Sequence, residues 1–199
     1  MDTLNSHPDN HSSVEKNIVE RPPLGPTVLL ESSFLFSLLE SSDANHKLAK
    51  AIFNFVEPYN CRFHVPLLVF SEVLSRIVRN GKTVSAAVKM LEQFTKSLPG
   101  SLFSGETPED LESLIDRYKN FARKKIKGLA SNDFLIVTEG MLSGSLILTG
   151  DHEMFKKVSQ YHADIFYIVA DSPKYGGDVS RFTERFLELV KVKKEKNET

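Results

Sequence analysis

Four carboxylates stand where a chain of this kind has little structural use for them. Glu31 follows the apolar run Val28-Leu29-Leu30, and Asp151 follows Leu146-Ile147-Leu148-Thr149-Gly150, so each is expected just beyond the carboxyl end of a strand. Asp133 has Leu129, Ala130, Ile136 and Val137 as its neighbours at helical spacing, and a carboxylate on such an apolar face is costly unless a cation or hydrogen-bond donors compensate it. Glu72 lies among Leu68, Val69, Ser75 and Arg76. Local roles stay open for three of the four: Asp133 and Asp151 can cap helix starts, and Glu72 can pair with Arg76 four residues on. Glu31 has no such ready role, because Glu is not a favoured N-cap residue.

Brought together, these acids would form an oxygen cage without sulfur or imidazole, a donor set that suits Mg²⁺ or Mn²⁺. Such cages serve phosphoryl chemistry, in which the metal orients a water and stabilises charge on the phosphate, so no covalent nucleophile is needed. The remaining inventory agrees by elimination. The six histidines show no H-E-x-x-H spacing, Gly140 to Gly144 is not a serine elbow, and Gly100 to Glu106 lacks the lysine of a P-loop.

The elements that must position the acids alternate along the chain. Strands are expected at Thr27–Leu30, Cys61–Val65, Ser101–Ser104, Ser145–Thr149 and Asp164–Val169. Between them come helices from Glu31 to Leu39, from Asp43 through Val56, from Pro66 to Asn80, from Thr83 to Leu98, from Thr107-Pro108-Glu109-Asp110 onward and from Ser131 to Leu142, then a short one after Asp151; a last helix is expected over Asp178–Lys193. Strands alternating with helices imply an α/β fold whose central parallel sheet is covered on both faces. Ligands of such sheets bind beyond the carboxyl ends of the strands, where the strand order reverses. If the strands ending at Glu31 and Asp151 are neighbours, both acids face that rim.

With 199 residues, one domain is expected: a polar, disordered arm over 1–26, a folded body over 27–193 and a frayed Lys-rich tail over 194–199. Twenty-five Lys and Arg against 26 Asp and Glu leave a net charge of −1, which excludes a chain coated in positive charge for nonspecific nucleic-acid binding. The single cysteine, Cys61, and the lack of any apolar run near membrane-span length point to the cytoplasm and to no membrane association.

The ordered set Leu29-Leu30-Glu31-Ser32-Ser33, Val69-Phe70-Ser71-Glu72-Val73-Leu74, Ser131-Asn132-Asp133-Phe134-Leu135-Ile136-Val137 and Leu148-Thr149-Gly150-Asp151-His152-Glu153-Met154-Phe155 resembles the PIN-domain (VapC-like) ribonuclease family over residues 27 to about 170. The resemblance implies a three-layer α/β/α sandwich and a Mg²⁺- or Mn²⁺-dependent endoribonuclease. Glu31, Glu72, Asp133 and Asp151 would be its catalytic and metal-holding acids, Glu153 an additional metal-holding acid, and Ser33 and Thr149 the supporting hydroxyls. The chain departs from the family at Glu31, where Asp is usual, so the carboxylate sits one methylene further out. Mn²⁺ is therefore expected to serve better than Mg²⁺, which demands near-ideal octahedral geometry.

Arg117, Lys119, Arg123, Lys124, Lys125 and Lys127 follow one another without an intervening acid, just before the helix that carries Asp133. Arg123, Lys124, Lys125 and Lys127 are the candidates for holding an RNA backbone; a solvated helix face explains the run equally well. Partners compatible with the resemblance are an RNA substrate, an antitoxin or other protein, and a second copy of the chain. The competing function is a non-catalytic PIN-like module that binds RNA or protein through a degenerate metal site.

Overall fold

The computed structural model describes residues 25–98, 102–104, 129–170 and 178–197, with side chains given for all of these except 102–104 and 197. Five strands, β1 (Thr27–Leu30), β2 (Arg62–Pro66), β3 (Leu102–Ser104), β4 (Leu146–Thr149) and β5 (Ile165–Tyr167), form one sheet in the order β3-β2-β1-β4-β5. Every pairing is parallel. The central strand β1 buries Val28, Leu29 and Leu30 completely, as a strand covered on both faces must. Pro66 ends β2 and caps the helix that follows it, where the sequence placed it inside that helix.

Seven α-helices and a 3-10 turn (Glu57–Tyr59) complete the described fold: α1 (Ser32–Leu39), α2 (His46–Val56), α3 (Leu67–Arg79), α4 (Val84–Lys96), α5 (Ser131–Leu142), α6 (His152–Val158) and α7 (Val179–Asn197). The alternation of side chains along the strands sorts them into layers. Phe63 and Phe166 point to one face, where Phe63 stacks on Phe53 of α2 at 5.1 Å and Phe166 meets Phe182 of α7 edge-on at 5.4 Å. Phe94 brings α4 to the same side, 6.2 Å from Phe53. Leu29 and Ile147, paired in register, point to the other face and receive α5. Gly140 allows that approach, since a Cβ there would lie 2.7 Å from Ile147 and 3.2 Å from Leu29. The result is the expected three-layer α/β/α sandwich with a central parallel sheet.

At the ends of the described residues two details differ from expectation. Gly25 and Pro26 are buried, and the Gly25 amide donates to the Tyr59 carbonyl at 2.9 Å. The last helix runs to Asn197 instead of ending at Lys193, consistent with the good helix formers Lys and Glu in that stretch. The first 24 residues, the helix expected from Thr107 and the basic run from Arg117 to Lys127 lie outside the described residues. Among the described residues no helix is long and apolar enough to cross a membrane.

Candidate functional site

Strand order reverses between β1 and β4, and both strands end at the same rim. Glu31 continues the ladder for one residue, its amide donating to the Leu148 carbonyl at 3.0 Å, and then becomes the N-cap of α1. Its carboxylate accepts from the Ser33 amide at 3.0 Å, the Ser32 hydroxyl at 2.6 Å, the Thr149 hydroxyl at 2.9 Å and the Ser33 hydroxyl. Four donors explain how a carboxylate only 4% exposed survives at the head of an apolar helix. Two of them tie the strands together. The Thr149 hydroxyl accepts from the Asp151 amide at 2.9 Å, and the Ser33 hydroxyl accepts from the Gly150 amide at 2.7 Å, while both donate to Glu31. The turn that carries Asp151 is thus anchored to Glu31 through two hydroxyls.

Asp151 caps α6, its Oδ1 accepting from the Met154 amide at 2.9 Å. The local role open to it in sequence is therefore real, and it uses one oxygen. Glu72, on α3, is not paired with Arg76. Its Oε1 accepts from Asn132 Nδ2 at 2.8 Å and its Oε2 from the Ser32 hydroxyl, while the Arg76 guanidinium lies over the Phe36 ring, 4.0 Å from the centroid. Ser32 Oγ contacts both Glu31 and Glu72 with one hydrogen to give; donated to Glu31, it leaves Asn132 as the donor that holds Glu72. Asp133, in the first turn of α5, is half-buried and does not cap that helix; Ala130 holds the N-cap position.

Glu31, Glu72, Asp133 and Asp151 line one cleft of about 430 Å³. Burial, followed by the charges of Asp151, Glu31 and Glu72, pushes the Asp133 carboxyl up to about 6, opposed to a smaller extent by the charge of Lys157. The site therefore carries excess negative charge, and hard carboxylate oxygens are the donors that Mg²⁺ or Mn²⁺ prefers. The side chains as placed do not amount to a closed ligand set: among the described residues no three His, Cys, Asp or Glu groups are gathered as metal ligands. Donor chemistry and surplus charge fit a divalent ion, and binding one would require the acids to draw together.

Glu153 is not brought to the cleft; its side chain is 67% exposed, with His152 Nδ1 3.7 Å away. Arg123, Lys124, Lys125 and Lys127 fall outside the described residues. Ser32 and Asn132, which hold the two glutamates, were not singled out from sequence, nor were Arg76 and Arg79 as cleft residues. The signal for the arginines is their spacing, since Glu72, Arg76 and Arg79 recur at four and then three residues on one face of α3.

No protein-family model matches the chain, and no curated protein does. Among solved structures it is similar to the sarcin–ricin-loop-cleaving toxin VapC20 of Mycobacterium tuberculosis, at 15% identity and a TM-score of 0.49, over 65% of this chain and 93% of the toxin. It is likewise similar to VapBC-1 from nontypeable Haemophilus influenzae, at 14% identity and a TM-score of 0.48, over 67% of this chain and 93% of that one.

Proposed function

We propose that this protein is a divalent-metal-dependent endoribonuclease, similar to PIN-domain nucleases, that hydrolyses RNA phosphodiester bonds at the β1–β4 rim. One observation carries the reading: carboxylates from four separate elements line one cleft, where burial and then the charges of the neighbouring acids raise the proton affinity of Asp133. Glu31 and Asp151 also cap helices, but the charge of Asp133 caps none and costs stability, so its use lies in binding positive charge. Asp133 and Asp151 would be the principal holders of Mg²⁺ or Mn²⁺, with Glu72 and Glu31 completing the negative field. The ion would supply activation of a water and neutralisation of phosphate charge.

The chain's own residues do the rest. Glu31, fixed by four donors, sets the position of the turn bearing Asp151 through Ser33 and Thr149. Asn132 holds the Glu72 carboxylate toward the cleft. The basic run Arg123, Lys124, Lys125 and Lys127 is proposed to hold the RNA backbone upstream of the α5 carboxylate. The cytoplasm is the compartment assumed, and an antitoxin-like protein or a second copy of the chain is the partner proposed.

The second reading, a non-catalytic RNA- or protein-binding module, is favoured by one specific observation: the Glu31 carboxylate is already occupied by four protein donors. Incubation of the protein with end-labelled single-stranded RNA in Mn²⁺, in Mg²⁺ and in EDTA separates the two. Internal cleavage that needs the metal and disappears in Asp133→Asn supports the nuclease; RNA binding with no cleavage in either metal supports the module.

A further inference from the structure

The face of α3 that carries Glu72 also carries positive charge that the carboxylates do not neutralise. Arg76 and Arg79 line the same cleft as Glu31, Glu72, Asp133 and Asp151, yet among the described residues neither arginine has a carboxylate within ion-pair distance. The acids are held by hydroxyls, Asn132 and backbone amides instead. Arg76 is kept in place by the Phe36 face, which orients the planar guanidinium without consuming its hydrogen-bond donors. Arg79 is exposed and bonds only weakly along its own helix, its Nε donating to the Ser75 carbonyl at 3.4 Å. From Glu72 to Arg76 α3 rises about 6 Å, and to Arg79 about 10 Å. Positive charge is therefore offered one and two steps along the groove from the acids, on a rigid helix face.

We propose that Arg76 and Arg79 are substrate-positioning residues, binding the backbone phosphates that neighbour the phosphate held at the acids, so that the site takes a polynucleotide strand in preference to a mononucleotide or a single phosphodiester. The proposal rests on the nuclease reading and names its substrate class. Guanidinium forks match phosphate oxygens bidentately, and contacts to the backbone carry affinity without base preference. With a divalent ion at the acids, the groove would take two kinds of phosphate: one at the ion to be cut, the others gripped by the arginines.

The test compares native protein, Arg79→Gln and Arg76→Gln/Arg79→Gln. Binding of a fluorescent 12-nucleotide RNA is followed by anisotropy in EDTA across a salt series, which needs no catalysis. Neutralising both arginines should reduce the slope of log K against log salt by about 1.4, and neutralising Arg79 alone by about 0.7. In Mn²⁺, kcat/KM for the RNA should fall tenfold or more through KM, and should fall at least tenfold further than kcat/KM for bis(p-nitrophenyl) phosphate, which has one phosphate. Arg79→Gln removes an exposed side chain without packing, so it serves if loss of the Arg76–Phe36 contact disturbs folding. An unchanged salt slope, or equal falls on both substrates, overturns the proposal. If native protein cleaves neither substrate the nuclease reading fails, and the salt slopes still decide whether the arginines hold RNA.

Discussion

At the outer edge of the sheet, beside β5, Asp164 receives both arms of Arg185, at 2.9 and 3.2 Å, and Arg185 also reaches Glu188 at 2.9 Å. Asp178 there accepts from Arg181 at 3.0 Å and from the Tyr167 amide at 3.2 Å. At the β1–β4 rim the same residue types are present, but each carboxylate that is bonded there is held by hydroxyls or amides, and the arginines stand one and two turns further along α3 from Glu72. The difference lies in what each partner does to charge. An arginine cancels a carboxylate; a serine or threonine hydroxyl fixes it in space and leaves the charge intact. The edge uses ion pairs to dock α7 against β5. The rim keeps its negative and positive fields separate and available for a ligand.

That contrast can be broken in a definite order. The largest effect should come from removing one charge at the rim: Asp133→Asn and Asp151→Asn should each lower metal-dependent RNA cleavage by about 100-fold or more, the scale of losing a group that meets charge in the transition state. Asn caps helices as well as Asp does, so α6 should persist in Asp151→Asn, checked by circular dichroism. Cleavage at native rates in both variants would move the chemistry elsewhere.

Next comes Glu31→Ala, which strips the α1 cap and leaves four donors without their acceptor. A loss of about 1–3 kcal/mol is expected, or roughly 3–10 °C in Tm by calorimetry. An unchanged Tm would mean that those hydrogen bonds do not hold the rim together.

Acid titration sharpens the contrast further. The folded Asp133 carboxyl is raised from 3.8 to about 6, so the native state binds its proton more tightly than the unfolded chain does. In EDTA this residue should therefore cost stability increasingly as pH rises between about 4 and 6, and fully above that. Asp133→Asn should melt at or slightly above the native Tm at pH 7.5, and the advantage should vanish below pH 4. Loss of stability at pH 7.5 in this variant would show that the charge is compensated.

The smallest effect belongs to the edge. Arg185→Met should lower stability by at most about 1 kcal/mol, since the pair is partly exposed, and cleavage should stay within about twofold of native. A large loss of cleavage there would join the two regions functionally.

Much of this was legible in the residues. The β-branched and leucine-rich runs bounded by turn residues located the strands, and acids placed directly after two of them pointed to the rim because side chains at strand ends must face it. What the sequence could not show was distance. Glu31 reads as a metal ligand with one methylene too many; only the register of β1 against β4 reveals that its carboxylate is the anchor for Ser33 and Thr149. The Glu72–Arg76 spacing fits an ion pair, and the competition from Asn132, sixty residues away, together with the Phe36 ring, decides against it. Glu153 shares the motif's periodicity yet leaves the cleft because α6 turns it outward.

The most direct measurement is the melting temperature of native protein and of Asp133→Asn, each in EDTA and in millimolar Mn²⁺. If the rim is a negative site short of a cation, Mn²⁺ should raise the native Tm by several degrees, as a ligand of the folded state does. The same addition should move Asp133→Asn little, while its Tm in EDTA is no lower than the native value. An equal response to Mn²⁺ in both proteins, or none in either, would contradict the account.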